Sequence, residues 1–266
     1  SIISDILFRI LMKVWIEFVY LRESDPDKRE KLKLLGQGGE SGAKWAEYYM
    51  KATPPLEEAK NFKHCYQFIS EIETLLSSDN VFSVVQIGSS SGKEISYFAN
   101  LFPQMVFFGT DINESVLEYA KEKCQLENVR FELCSAKNIL SVLEKCSNEN
   151  LILFSSQSLE YVQPEHLDEM FASISGVKNL TVVISESGDR GNISPDQIGG
   201  SRWWNEFLYT HDYKFYAEKN GIKTIKVNLM EPYDSLMDFS NRYSGSTASK
   251  DDDNSVNYFY MGVTGG

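Results

Sequence analysis

Residues 84–94 read VVQIGSSSGKE: an apolar run, a short Gly/Ser loop, then a helix-like pattern. A small-residue loop at the end of a strand lets the backbone approach a ligand closely, because glycine carries no Cβ. Spacing separates three loop chemistries. A phosphate-cradling P-loop needs GxxxxGK followed by Ser or Thr. Here Gly88 and Gly92 stand one residue too close, and Glu94 takes the place of the magnesium-binding hydroxyl, where its charge opposes phosphate. A dinucleotide fingerprint, GxGxxG, would need glycines at 90 and 93, which are Ser90 and Lys93. The third pattern, GxGxG, is met by Gly88 and Gly92 with Ser90 in the middle. A second chemical position is Asp111, 19 residues after Gly92, at the end of another apolar run. A carboxylate there can accept both hydroxyls of a ribose; the alternative is an N-cap for a helix starting near Ser115. A third is His211 beside Asp212, the best-placed pair for taking a proton from a hydroxyl. Its alternative is a histidine on a helix surface.

These residues need a frame. VFSVVQI (81–87), MVFFGTD (105–111), NVRFELC (128–134), NLILFSS (150–156) and NLTVVISE (179–186) read as buried strands. Helical patterns at 92–102, 114–125, 136–146 and 164–174 separate them, the last opened by Pro164. Strands alternating with helices imply a parallel sheet covered on both faces. The polar stretch 187–202 reads as a loop, WWNEFLYTHDYKFYAEKNG as a helix stopped by Gly221, and IKTIKVNLM (222–230) and NYFYMGV (257–263) as a sixth and seventh strand. The segment 240–255, poor in apolar residues, reads as a loop.

Ahead of the first strand the chain is helical. Residues 1–22 are apolar apart from one stripe of Asp5, Arg9, Lys13 and Glu17, which argues against a transmembrane span. Such a helix docks on its own domain, on a second copy of the chain, or flat on a membrane surface. Residues 22–42, charged and then Gly-rich, read as a connector, and 43–51 and 56–77 as helices separated by TPP. The expected division is therefore a helical extension, 1–78, and a sheet domain, 79–266.

Of 266 residues, 26 are Lys or Arg and 38 are Asp or Glu, a net charge of −12 that disfavours nucleic acid as a partner. With 42% hydrophobic residues the chain can fill a sizeable core. Four cysteines without CxxC spacing and three histidines assemble no zinc signature, so no metal is expected. Reduced thiols fit a cytoplasmic protein, peripheral at a membrane if helix 1–22 lies there.

From about residue 81 to 186 the chain resembles the class I, Rossmann-like S-adenosylmethionine-dependent methyltransferases. VVQIGSSSGKE is similar to their first motif, FFGTDINESVLEYAKEK to the second, NVRFELCSAKNI to the third, and NLILFSSQSLEYVQPEHLDEMF to the fourth strand and following helix. The resemblance implies an α/β, Rossmann-like, seven-stranded, mostly parallel sheet with helices on both faces, plus the helical N-terminal extension, and S-adenosylmethionine as cofactor. It would place Gly88, Ser89, Ser90 and Gly92 against the methionine portion and Gln86 near its amino group. Asp111 would take the ribose, and Ile112 would pack on adenine with Ser135 and Ala136 near the adenine amino group. Ser155 and Gln157 would line the cofactor from the fourth strand, and Tyr48 or Tyr49 would cap it or pack in the core. Three positions depart from the family: Gln86 and Ser135 stand where an acid is usual or frequent, and Ser90 where glycine is.

The acceptor site would be shaped by SGDRG (187–191), by Trp203 and Trp204 as lid or core, and by His211 with Asp212. SSQS (155–158) is unlike the NPPY motif of adenine-N6 or glutamine methylation, leaving a hydroxyl of a small molecule or glycan as the expected acceptor. Two rivals are a non-catalytic scaffold on the same fold and a nicotinamide-dependent oxidoreductase, the latter opposed by the loop spacing.

Overall fold

The computed structural model describes residues 19–20, 22–37, 40–52, 55–59, 67–78, 81–146, 150–189, 200–205, 208–230 and 255–265. The expected helix 1–22 therefore lies almost wholly outside the described residues, as do most of 187–202 and 240–255.

Among the described residues four helices precede the sheet: α1 (Pro26–Gln37), α2 (Glu40–Ala52), α3 (Leu56–Ala59) and α4 (Gln67–Leu76). Then β1 (Val81–Ile87), α5 (Lys93–Leu101), β2 (Val106–Asp111), α6 (Glu114–Lys123), β3 (Val129–Leu133), α7 (Leu140–Leu143), β4 (Asn150–Ser156), α8 (Pro164–Ile174) and β5 (Leu180–Asp189) alternate. A hairpin of β6 (Ser201–Asn205) and β7 (Leu208–His211), helix α9 (Tyr213–Lys219), β8 (Lys223–Met230) and β9 (Ser255–Val263) complete the order.

Seven strands form one sheet in the order β3-β2-β1-β4-β5-β9-β8. The first five run parallel, and β9 enters antiparallel between β5 and β8. The order reverses between β1 and β4, so this open sheet has its crevice at the carboxyl ends of those two strands. Side chains alternate across the sheet. Val84, Ile152, Phe154 and Val183 pack beneath α4 and α5 with Phe68, Ile72, Ile95 and Phe98. Val85, Leu153, Val182 and Ile184 pack on the opposite face with Val142, Leu167, Phe171 and Tyr213, from α7, α8 and α9. Each face carries its own buried cluster, as a doubly covered sheet requires. Among the described residues no helix is long and apolar enough to cross a membrane.

Three expectations need correction. The segment read as a helix from Trp203 to Gly221 is instead the β6/β7 hairpin followed by the short α9. Trp203 pairs with Tyr209 and Ser201 with His211 in an antiparallel ladder, and α9 starts only where the Asp212 side chain accepts a hydrogen bond from Phe215 N at 3.0 Å. Gly221 does end α9, at φ 81; Gly221 N donates to Glu218 O at 3.0 Å and Ile222 N to Ala217 O at 2.9 Å, a Schellman closure. The charged connector 22–42 contains α1, held by side-chain hydrogen bonds to the sheet domain rather than by an apolar stripe. The segment 136–146 is a 3-10 turn followed by the single turn of α7, not one helix.

Candidate active site

The Gly/Ser loop leaves β1 at Ile87 and alternates in handedness. Gly88, Ser90 and Gly92 have φ of 67, 46 and 74°, all left-handed. Ser89 N donates to Thr110 O at 2.7 Å and Gly92 N to Ser89 O at 2.8 Å, which folds the loop over the end of β2. Two of the three left-handed positions are glycines with no room for a side chain. A Cβ on Gly88 would lie 2.1 Å from Ser158 Oγ, and one on Gly92 would lie 2.7 Å from the Phe131 ring. Ser158 Oγ also donates to Gly88 O at 3.1 Å, tying the loop to the segment after β4.

Asp111 stands at the end of β2, facing that loop. Its Oδ2 accepts from Ser90 N at 3.2 Å and its Oδ1 from Asn113 N at 3.0 Å. An ionised carboxylate offers about four acceptor positions, so room remains for two hydroxyls. The cap of α6 is Asn113, whose side chain accepts from Ser115 N at 3.1 Å, so Asp111 is not the cap. Burial pushes the Asp111 pKa up, opposed by the amides of Asn113, Ser90 and Ile112 and by the charge of Lys33. Around the same loop Gln86 Oε1, Ser89 Oγ and Ser91 Oγ are buried with no hydrogen-bond partner among the described residues. Buried polar atoms are seldom left so. Three around one loop fit a polar ligand head, such as the amino-acid portion of S-adenosylmethionine.

Helix α1 lies across this end of the sheet. Lys33 is buried, its ammonium donating to Tyr161 O, and burial pulls its pKa down to about 8 against the charges of Glu30 and Asp111. Arg29 donates to Gln163 Oε1 at 3.1 Å and to the Tyr209 hydroxyl at 3.2 Å. Asp27, Glu30 and His166 cluster tightly enough to suggest metal ligands. The Lys137 ammonium is bonded to Asp27 and approaches His166 Nε2 at 3.5 Å, so a cation of the protein already occupies that group.

The carboxyl ends of β4 and β5 hold a second acidic centre. Glu186 is fully buried and takes Ser155 Oγ at 2.6 Å, Leu159 N at 3.0 Å and Ser158 N at 2.8 Å. Burial first, then the neighbouring Glu160 carboxylate, raises its pKa well above the usual range. Glu160 is also buried and raised by burial, with Ser187 donors opposing, and its Oε2 has no hydrogen-bond partner among the described residues. The Tyr213 hydroxyl, equally without one, feels the charges of both glutamates.

The residues expected from sequence divide. Gly88, Ser89, Ser90, Gly92 and Asp111 come together in one loop contact. Ile112 and Ser135 line a cleft of about 700 Å³ with Glu30 and Leu34 of α1, whereas Ala136 is packed in the core. Ser155 turns its hydroxyl to Glu186. Gln157, at φ 53°, accepts from Ser187 Oγ at 3.0 Å. Tyr49 falls within α2 and Trp203 and Trp204 within β6, but their side chains lie outside the described residues. His211 is fully buried, in contact with the Tyr213 ring at 5.6 Å, and its Nδ1 meets Ser201 Oγ at 2.5 Å. Burial pulls its pKa down to about 3, against the Val162 and Leu159 carbonyls, so the ring is neutral at neutral pH. Asp212 is engaged as the cap of α9.

Residues 84–179 match the family model described as a methyltransferase domain. Over that stretch the chain is similar to a methyltransferase domain, and its sheet is Rossmann-like. Solved structures agree on its fold. Phosphoethanolamine N-methyltransferase 2 from Haemonchus contortus, in complex with S-adenosyl-L-methionine, is 15% identical with a TM-score of 0.53, over 79% of this chain and 57% of that one. This chain thus covers little more than half of the Haemonchus protein. Geranyl diphosphate C-methyltransferase from Streptomyces coelicolor is 12% identical with a TM-score of 0.54, covering 75% and 80%. The 4+2 cyclase SpnF is 12% identical with a TM-score of 0.53, covering 84% and 96%. A search of curated protein sequences found no match. Lys33, Glu160 and Glu186 were given no role in the sequence reading; no local pattern marks them, and their meaning comes only from the partners the fold supplies.

Proposed function

We propose that the chain is an S-adenosylmethionine-dependent methyltransferase acting on a hydroxyl of a small molecule or glycan. The observation that carries the cofactor is the loop 88–92 with Asp111: a carboxylate fixed by two amides with acceptor capacity to spare, beside three buried polar atoms without partners. When bound, S-adenosylmethionine supplies an electrophilic methyl on a sulfonium. Asp111 would hold the ribose hydroxyls, the 88–92 backbone the amino-acid portion, and Ile112 and Ser135 the adenine side.

The acceptor would enter over the ends of β4 and β5. As its oxygen gains the methyl, its proton must pass to a protein group. His211 was the base expected from sequence; its low pKa leaves it able to orient a hydroxyl but weak at removing a proton. Glu160, buried with its Oε2 unpartnered among the described residues and its pKa raised by burial, is better matched to that task. Tyr213 and Glu186 hold the site around it. Other neighbours are named for methylating nitrogen and carbon, so the hydroxyl rests on this proton-accepting centre rather than on them.

The rival is a cofactor-fold scaffold without turnover, and SpnF is a neighbour named for a different chemistry. The test is S-adenosylhomocysteine formation from S-adenosylmethionine across pooled hydroxylated metabolites and sugars. Acceptor-dependent product supports the enzyme. Tight binding of both sulfur ligands with no product from any pool supports the scaffold.

A further inference from the structure

The segment that leaves β4 is held from three sides. Gln157 has a left-handed backbone, φ 53°, uncommon for a residue with a side chain. The chain then makes a single 3-10 turn, Leu159–Tyr161. From β5, Ser185 O accepts Gln157 N at 3.0 Å, and the Glu186 carboxylate accepts Ser158 N at 2.8 Å and Leu159 N at 3.0 Å. The first amides of a helical turn have no partner inside it; Ser158 makes no side-chain cap, and Glu186 supplies the acceptors from across the sheet. From α1, the buried Lys33 ammonium donates to Tyr161 O. From the end of β1, Gly88 O accepts the Ser158 hydroxyl at 3.1 Å, with Ser156 O slightly farther from that hydroxyl at 3.3 Å.

The first two clamps fix the turn to the sheet and to α1. The third joins it to the Gly/Ser loop, and the approach is close: a Cβ on Gly88 would lie 2.1 Å from Ser158 Oγ. Glu160 sits in the middle of this turn, buried, two residues from Ser158. Its place relative to the loop is therefore set through Ser158. That place matters for group transfer, where a misplacement of about 1 Å can cost roughly 100-fold in rate. A group that serves the acceptor must be registered against the cofactor, not against the sheet alone.

We propose that Ser158 is a positioning residue: its hydroxyl registers the turn bearing Glu160 against the 88–92 loop, so that filling the loop tightens the turn. The proposal rests on the reading of the loop as an S-adenosylmethionine site and of Glu160 as the group that serves the acceptor.

The test is hydrogen exchange at the amides of residues 158–162, read by mass spectrometry with and without S-adenosylhomocysteine, whose binding is first measured by calorimetry. In the wild type the ligand should slow exchange there about tenfold, the scale of an ordinary coupling between two sites. Ser158→Ala should bind S-adenosylhomocysteine within about threefold of wild type, because the closed turn still prevails, yet lose most of that slowing. Ser158→Thr keeps the hydroxyl and should recover it. A hydroxyl that only stabilised the turn would leave Ser158→Ala exchanging faster in both states, with the ratio between them intact. That result overturns the proposal, as does a wild-type turn whose exchange ignores the bound ligand. If Ser158→Ala does not fold, Ser158→Cys, close in size and a far weaker donor, decides by the same ratio. A wild-type chain that does not bind S-adenosylhomocysteine overturns the cofactor reading and this proposal together; binding with the ratio intact in the variant overturns this proposal alone.

Discussion

The carboxyl ends of β1 and β2 and those of β4 and β5 sit side by side on one sheet, and each holds a carboxylate, half-buried at Asp111 and fully buried at Glu186. Asp111 is held by two backbone amides and keeps acceptor capacity in hand, facing a loop with unpartnered polar atoms. Glu186 is tied to the chain itself: a hydroxyl and two amides engage both its oxygens. The first end is built to receive a ligand. The second is built to hold a loop in place, and its chemistry is displaced onto Glu160, whose Oε2 still lacks a partner. The two acids thus differ in what faces them: unpartnered polar atoms of the loop at Asp111, the protein's own donors at Glu186.

The strongest way to break this comparison is at Glu160. Glu160→Gln should lower turnover by roughly 100-fold or more, the scale of a lost general base, with S-adenosylhomocysteine affinity within about twofold of wild type. A parallel fall in affinity would merge the two ends into one site. Next comes Gly88, the point where they touch. Gly88→Ala puts a methyl into Ser158 Oγ at a left-handed φ, and should cost roughly 3 kcal/mol of stability or cofactor affinity. Adding Ser158→Gly should return part of it, measured by thermal unfolding and calorimetry.

A smaller effect concerns the strap over the first end. Lys33 has its pKa lowered to about 8 by burial. The unfolded chain therefore holds the proton more tightly than the folded one between that value and the free-lysine value of about 10.4. Stability should rise with pH through this window, because the cost of burying the ammonium is fully present below it and is relieved as Lys33 deprotonates. Lys33→Met should flatten that rise in chemical denaturation measured from pH 7.5 to 10.

Much of the first end was legible in the sequence. Buried strands announce themselves as apolar runs, so β1 and β4 fall on the expected residues. A loop that needs left-handed backbone announces itself by glycine. Asp111 was legible because it closes such a run. Other features had no local signal. The charged stretch of α1 looked like a connector because it is held by Arg29 and Lys33 reaching distant carbonyls and side chains, which no period in the sequence encodes. The β6/β7 hairpin was masked by aromatic residues that fit helix and strand alike, and only the cap at Asp212 shows where the helix starts. Glu186 and Glu160 carry no local signal; the donors that meet them come from the far side of the sequence, Ser155, Ser158 and Leu159 for Glu186 and Ser187 for Glu160. Ser90, standing where the family has glycine, adopts φ 46° and offers its amide to Asp111.

The central claim is that the 88–92 loop and Asp111 hold S-adenosylmethionine. Calorimetry of S-adenosylmethionine, S-adenosylhomocysteine and NAD against the wild-type chain and Asp111→Ala tests it most directly. Both sulfur ligands should bind, NAD should not, and Asp111→Ala should weaken binding by roughly 10- to 100-fold through the lost ribose contacts. Absence of binding by either sulfur ligand, or binding that Asp111→Ala leaves unchanged, would contradict it.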